Sequence, residues 1–321
     1  MTLTQLEAFV LVARLGSVTA AARTLGVSEP AVSGALAALR QQLGDGLVER
    51  GPDGMTLTPG GRRLVPIASQ MIALAAEAED AIRQAQGAPE RLRVIATSTV
   101  AESVAPGLLA AFGGRAAVVD ASLGVASTDE MPALLAERLA DVALGPLDVG
   151  TGHDELESVP LLRYRLVFVA APGHPLAGHV RLPARALADQ VWLVDADGTD
   201  PGSPVGRLLE RLDVAEHHVR VFSSQAAAWT AAADGHGIAP AVAHLVTQDV
   251  ARHALVTLDV AGAPIELLWH ATMLRPPRRT AAAAALVRFI ATPDATHAMH
   301  ASLSGVPPSR FRPPVYVTLW S

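Results

Sequence analysis

The sequence predicts an α/β protein with a helical front end: three short helices closed by a hairpin, one long helix, and then a two-lobed α/β region. Three observations carry that prediction. Short helical periods punctuated by glycine fill the first 60 or so residues, apolar positions at heptad spacing follow Pro59, and strand-like apolar runs alternate with helices from Leu92 onward. The 321 residues allow two domains or one large one, and 50% of them are apolar, which excludes an intrinsically disordered chain.

Leu6, Phe9, Val10 and Ala13 recur at helical spacing until Gly16 and Ser17 break the pattern, and a second short helix runs to Leu25. Gly26 follows at a turn that needs positive φ, and Ala22 is small where two helices would cross. Ala21, Leu25, Val27, Val32 and Ala35 supply the inner face. Ser28 is placed as an N-cap and Pro30 in the first turn of a third helix ending near Gln42. Leu47, Val48, Glu49 and Arg50 on one side and Met55, Thr56 and Leu57 on the other flank Gly51-Pro52-Asp53-Gly54 as a β-hairpin. Three helices and a hairpin in that order make a winged helix-turn-helix.

Thr58 as N-cap and Pro59 in the first turn open a long helix that reaches about Gln86. Leu64, Ala68, Met71, Ala75, Ala78, Ile82 and Ala85 lie alternately four and three residues apart, the spacing of a two-helix seam. At about 1.5 Å per residue the helix is roughly 40 Å long, more than a small domain can cover, so a dimer seam is preferred over a core face. Gly87-Ala88-Pro89 ends it as a hinge.

Strands are expected at 93–96, 117–121, 142–145, 166–170, 191–194, 219–222 and 265–269. Their alternation with helices implies βαβ units and a largely parallel, doubly wound sheet. Two subdomains joined near Leu162 and again near Pro264 account for the length of this region. The tail after Ile290, with Pro307-Pro308 and Pro313-Pro314, has no helical period and is expected to be extended or loose.

The chain has no cysteine, which excludes disulfide frameworks, thiolate metal sites and cysteine nucleophiles. No basic leader precedes the first helix and no apolar stretch is long enough to cross a bilayer, so a cytoplasmic location is expected. All 25 basic residues are arginine. The net charge of −6 argues against nucleic acid only until it is divided: residues 1–66 hold six arginines against five acids, so the acidic excess lies in the remainder. Enzyme signatures are absent: there is no Gly-x-Ser-x-Gly elbow and no phosphate loop, and Gly235-His236-Gly237 lacks the third glycine of a dinucleotide fingerprint. None of the 11 histidines has zinc-ligand spacing, and no metal or cofactor is expected.

The first 60 or so residues resemble a LysR-type transcriptional regulator, through Leu6-x-x-Phe9, Ser17-x-x-x-Ala21-Ala22-x-x-Leu25, Ser28-x-Pro30-Ala31-Val32-Ser33, Leu39, Leu43-Gly44, Leu47-x-x-Arg50 and Leu57-Thr58-x-x-Gly61. The rest is similar to the family's effector domain through Leu92-Arg93-Val94, Pro106-x-Leu108-Leu109, 141–145 and 172–176. The resemblance implies a winged helix-turn-helix at 1–58, a linker and dimerisation helix at 59–87, and a periplasmic-binding-protein-like (type 2) effector domain at 92–291. Lobe I of that domain would take 92–162 and 265–291, lobe II 163–264, and a tail 292–321.

In that family the third helix enters the major groove. Projected at about 100° per residue, Val32, Ala35, Leu36, Leu39 and Leu43 face inward, with Pro30, Ser33, Gly34, Ala37 and Gln41 opposite. Ser28, Glu29, Pro30, Ser33, Gly34 and Ala37 are therefore the expected groove residues. Relatives commonly carry Gln where Glu29 stands and often Arg where Gly34 stands, and Asp53 occupies a wing tip that is often basic. Arg23 and Arg62 are the first choices for phosphate contacts, while Arg50 is equally readable as a brace for the wing.

For the effector, small ligands bind beyond the carboxyl ends of strands in open α/β sheets. Thr97, Ser98 and Thr99 follow the 93–96 strand there, as caps, as ligand contacts, or as both. Ser127 and Glu130 have capping-box spacing, and Thr128 edges the cleft. By resemblance, Ser98, Thr99, Ser203 and Ser224 match hydroxyl positions that line an inducer cleft, implying a small organic acid. The acidic loop 195–201 equally admits a ligand with an amine. The expected partners are double-stranded DNA, the effector and a second or further copies of the chain, with RNA polymerase as a downstream contact and no membrane. An effector-independent regulator and a solute-binding protein are the alternatives; the second would need an export signal in place of the winged helix.

Overall fold

The computed structural model describes residues 1–51, 54–115, 119–147, 149, 154–300 and 315–316. Helix α1 (Leu3–Leu15) starts on a reciprocal box, in which Thr2 Oγ1 accepts from the Gln5 N–H and the Gln5 side chain accepts from the Thr2 N–H. Helix α2 (Val18–Leu25) is capped by the Ser17 hydroxyl and ends at Gly26 with φ of 66°, the left-handed turn that the sequence requires. Helix α3 (Glu29–Leu43) follows; Ser28 occupies its N-cap but its hydroxyl makes no cap bond. Strands β1 (Val48–Gly51) and β2 (Gly54–Leu57) form the antiparallel wing, with Val48 opposite Leu57. Leu6, Phe9, Val12, Val32, Leu36, Leu39 and Leu47 make the core of this head. Leu43 and Val27, expected inside, are exposed. One is the last residue of α3 and the other lies in the turn before it, so neither reaches the contact with α1.

Helix α4 (Pro59–Ala85) is tied to the head at its first turn. Thr58 Oγ1 accepts from the Gly61 N–H at 2.9 Å and donates to Asp45 Oδ1 at 2.6 Å. A β-carbon on Gly61 would stand 2.0 Å from the Leu47 carbonyl oxygen, which explains the glycine there. The apolar seam differs from the expected one. Leu64 and Ala68 pack into the head, so the exposed apolar face is instead Ile67, Met71, Leu74 and Ile82. Met71 and Ile82 of the expected seam stay exposed and are joined by Ile67 and Leu74, while α1 and the wing cover the side on which Leu64 and Ala68 lie.

The effector region runs β3 (Glu90–Ala96), α5 (Ser98–Ser103), α6 (Ala105–Arg115), β4 (Val119–Val125), α7 (Met131–Ala136), β5 (Val142–Gly145), β6 (Leu156–Ala170), β7 (Trp192–Asp195), α8 (Pro204–Arg211), β8 (Val219–Phe222), α9 (Gln225–Ala233), β9 (Ala239–Val242), α10 (Thr247–Ala251), β10 (Val256–Thr257), β11 (Ile265–Leu274), α11 (Ala281–Ile290), α12 (Pro293–His300) and β12 (Val315–Tyr316). The main sheet is ordered β10-β6-β11-β5-β3-β4-β12, with β9 also on β6. It is mixed, not largely parallel. β3 pairs parallel with β4 and β5, whereas β11 is antiparallel to β5 and, over ten residues, to β6. β6 and β11 are long crossing strands that carry the chain between two cores in opposite directions. One core gathers Leu92, Val94, Leu144, Trp269 and Leu286; the other gathers Phe168, Trp192, Leu208 and Ile238, with a parallel β7–β8 pair.

The tail begins as a helix, contrary to expectation. The Thr292 hydroxyl accepts from the Ala295 N–H, Pro293 fits the first turn, and Ala295 and Met299 bury against the first core. Pro307-Pro308 and Pro313-Pro314 lie outside the described residues, as does Asp53, which the sequence places at a wing tip.

Candidate functional site

On the head, Ser28, Glu29, Pro30, Ser33, Gly34 and Ala37 are all exposed, opposite buried Val32, Leu36 and Leu39. A major-groove helix needs this division, with its outer face free of packing duty. Arg23 is exposed in the last turn of α2. Arg62 is also exposed, though one guanidinium nitrogen donates to the Leu57 carbonyl at 2.8 Å, anchoring the side chain beside the wing. Arg40 braces the wing by donating to the Val48 carbonyl at 3.1 Å. The Arg50 side chain, considered for that role, lies outside the described residues.

Arg14 is not available to DNA. It is buried, pairs with Glu137 Oε2 at 2.6 Å and donates to Ser69 Oγ at 3.3 Å. Burial pulls its guanidinium below the ordinary range, and Glu137 opposes that. Nearby, Arg138 forms an ion pair with Glu77 of α4, and the Gln70 side chain reaches the Ala136 carbonyl at 3.5 Å. The residues at the end of α7 are thus gripped by α1 and α4. Arg93 fixes the same corner from beneath, with a two-pronged bond to Asp141 and a third bond to the Arg138 carbonyl.

Between the two cores, Thr97, Thr99, Thr128 and Ser203 line a cavity of about 60 Å³. Ser98 and Ser224 do not line it. The Ser224 hydroxyl caps α9 by accepting from the Ala227 N–H at 3.2 Å, and the Ser203 hydroxyl caps α8 in the same way at 2.8 Å. The cavity floor is apolar and aromatic: Tyr164 and Trp269 stack with centroids 4.2 Å apart, flanked by Leu166 and Val242.

The places where an anion was expected are already filled. Asp197 Oδ2 accepts from the Ser98 N–H at 2.7 Å, and Asp200 Oδ2 accepts from the Thr128 N–H at 2.9 Å. Asp195, at the end of β7, lines the cavity with Asp197. Burial pushes the Asp197 carboxyl up to about 7, aided by the charge of Asp195, while its bond from Ser98 pulls it back. Burial also raises the Asp195 carboxyl, and burial with the Asp195 charge raises that of Glu102 on α5. The sequence placed loop 195–201 beside the cleft; in the structure Asp195 and Asp197 of that loop line it. Tyr164 and Trp269 were missed because no local motif marks the middle of a crossing strand as a cleft floor, and Gln225 because nothing in the sequence separates it from an ordinary first-turn residue of α9.

A winged helix-turn-helix head, a linker helix with an exposed apolar face and a two-lobed domain around a cleft define a ligand-responsive class of DNA-binding regulator. The model of the LysR-family bacterial regulatory helix-turn-helix protein matches residues 3–62, and that of the LysR substrate binding domain matches residues 85–293. An uncharacterized HTH-type transcriptional regulator of Mycobacterium tuberculosis is 36% identical over the whole of both chains. The RuBisCO operon transcriptional regulator of Allochromatium vinosum is 27% identical over 90% of this chain and 95% of its own. The crystal structure of CbnR, a LysR family transcriptional regulator, shares the fold at a TM-score of 0.61, with 21% identity over 93% of this chain and 99% of that one. The chain belongs to the LysR family of DNA-binding transcriptional regulators, which are not enzymes. Among the described residues no helix is long and apolar enough to cross a membrane.

Proposed function

We propose that the chain acts in the cytoplasm as a homodimer or homotetramer that reads DNA through Arg23, Ser28, Glu29, Pro30, Ser33, Gly34, Ala37 and Arg62. Its grip on DNA is set by a small effector in the cleft lined by Thr97, Thr99, Thr128 and Ser203. Ser98 and Ser224 act there by holding the helix starts in place. The units are those of the sequence partition: head 1–58, linker 59–87, effector domain 92–291 with its two lobes, and tail.

One observation carries the reading. The segment from Thr128 to Arg138 touches both ends of the device: the Thr128 N–H holds the second lobe through Asp200, and Glu137 and Arg138 hold the head and linker through Arg14 and Glu77. A ligand that changes the cleft therefore changes the seating of the head, which is the two-state element that coupling requires. A carboxylated effector would have to displace Asp197 and Asp200 from the N–H groups that they occupy.

The test of the DNA face is Ser33→Ala, measured by fluorescence anisotropy on DNA from upstream of the protein's own gene and on random DNA. A lost base-edge contact is worth about 1 kcal/mol or more, so specific binding should fall roughly fivefold to tenfold while random binding is unchanged. Equal losses on both would remove Ser33 from the reading surface.

A further inference from the structure

We propose that the cleft takes a small organic cation, a primary amine on a short apolar body, with the ammonium seated on Asp195 Oδ2 and Thr128 Oγ1. The inference rests on the cleft being the effector site.

Two buried polar atoms that belong to residues lining the cavity carry it. Asp195 is 3% exposed; one carboxylate oxygen accepts from the Gly198 N–H at 3.0 Å, and the other, Oδ2, is buried with no partner. Thr128 is 5% exposed, and its Oγ1 is likewise buried without a partner, although its N–H is used. Both residues line the same cavity. A buried carboxylate oxygen left unpaired is costly, and the missing partner must be a donor, because an ionised carboxylate only accepts. An ammonium brings three donors and the opposite charge.

Charge around the cavity points the same way. Asp195, Asp197 and Asp200 come from one loop and Glu102 from the facing helix, while no arginine or histidine is among the residues lining the cavity. Arg207, whose charge is felt by Tyr164, does not line the cavity and is engaged with the Gly202 carbonyl, and the backbone N–H groups of Ser98 and Thr128 already bind the protein's own carboxylates. A metal ion is a poor alternative, since no group of three or more His, Asp or Glu among the described residues is placed to hold one. The rest of the lining asks for carbon: the stacked Tyr164 and Trp269 give a π-face to the cation's body, and Leu166, Val205 and Val242 bury its chain. The 60 Å³ of space admits only a few heavy atoms, so the ligand is small or leaves part of itself at the cleft mouth.

The experiment is calorimetric titration of the full-length protein at pH 8 with three compounds of one shape: n-butylamine, butyramide and butyrate. The proposal expects n-butylamine to bind at least tenfold more tightly than the other two. Asp195→Asn, which keeps the acceptor for Gly198, should weaken it tenfold or more, and Thr128→Val about threefold, both with unchanged circular dichroism. Butyrate or butyramide binding as well as the amine, or no heat from any of the three, overturns the proposal. Butyrate binding that Asp195→Asn and Asp197→Asn strengthen keeps the cleft as the effector site and removes only the cation. Amine binding untouched by both Asp195→Asn and Thr128→Val puts the cation elsewhere and overturns the cleft reading as well.

Discussion

Removing either member of the Arg14–Glu137 pair should unseat the head from the effector domain. The two groups meet at 2.6 Å with side chains each 8% exposed, so both charges have given up most of their water. Truncating Glu137 leaves a guanidinium with Ser69 Oγ at 3.3 Å and an Nε atom that already lacks a partner. Breaking a buried pair from one side costs about 3–5 kcal/mol when the orphan cannot escape. Here the head can tilt and hydrate Arg14, so the cost is capped by the rest of the interface, chiefly Arg138–Glu77 and Gln70–Ala136, and about 2–3 kcal/mol is expected. The assay is a double-mutant cycle of Arg14→Ala and Glu137→Ala, read by urea unfolding at one fixed protein concentration. Each single variant should lose about 2–3 kcal/mol and the double variant little more than either, a coupling of about 2 kcal/mol. Additivity within about 0.5 kcal/mol would show that the contact does not hold the head, and the route from cleft to DNA drawn through Glu137 would fall.

The acidic cleft makes a prediction about pH. The folded protein holds the Asp197 proton up to about 7, whereas an unfolded aspartate releases it near 4, so the folded state binds more protons between those values. Stability from this group is therefore present at low pH, declines as pH rises from about 4 to about 7, and is level above; the full decline is on the order of 2–4 kcal/mol. Asp195, Asp200 and Glu102 share the field and strengthen the effect. Measured as Tm, wild type should lose stability relative to Asp197→Asn between pH 5 and 8; a constant difference would contradict the placement of that carboxylate. On α4, Leu74 is 52% and Ile82 63% exposed, so Leu74→Glu with Ile82→Glu should shift sedimentation toward the monomer, and an unchanged oligomer would move the interface away from this face.

The head was nearly all legible in the sequence because its signals are local. The break at Gly16-Ser17, the cap at Thr58, the positive-φ glycine at Gly26 and the outward face of α3 each follow from a few neighbouring residues. The sheet was less legible, since strand direction is fixed by partners far along the chain. Runs 166–170 and 265–269 were visible as apolar stretches, but not as pieces of two long antiparallel crossings. The start of the α4 seam was misassigned, at Leu64 and Ala68 but not at Met71 and Ile82, because an alanine-rich helix offers two adjacent apolar stripes and only tertiary packing decides which one the head takes. Within the site, Thr97, Thr128 and Ser203 could be found from strand-to-helix turns. Asp197 reaches Ser98 across 99 residues and Glu137 reaches Arg14 across 123, distances over which no spacing rule operates.

In the proposed coupling, the state of the cleft reaches the DNA through the Thr128–Arg138 segment. Footprinting of the upstream region with Asp200→Ala, which releases the Thr128 N–H from the second lobe, tests it most directly. The protected half-sites of this variant should differ from wild type in position or extent, and Arg14→Ala with Glu137→Ala in the same chain should abolish the difference. A footprint identical to wild type in a folded Asp200→Ala protein would contradict it.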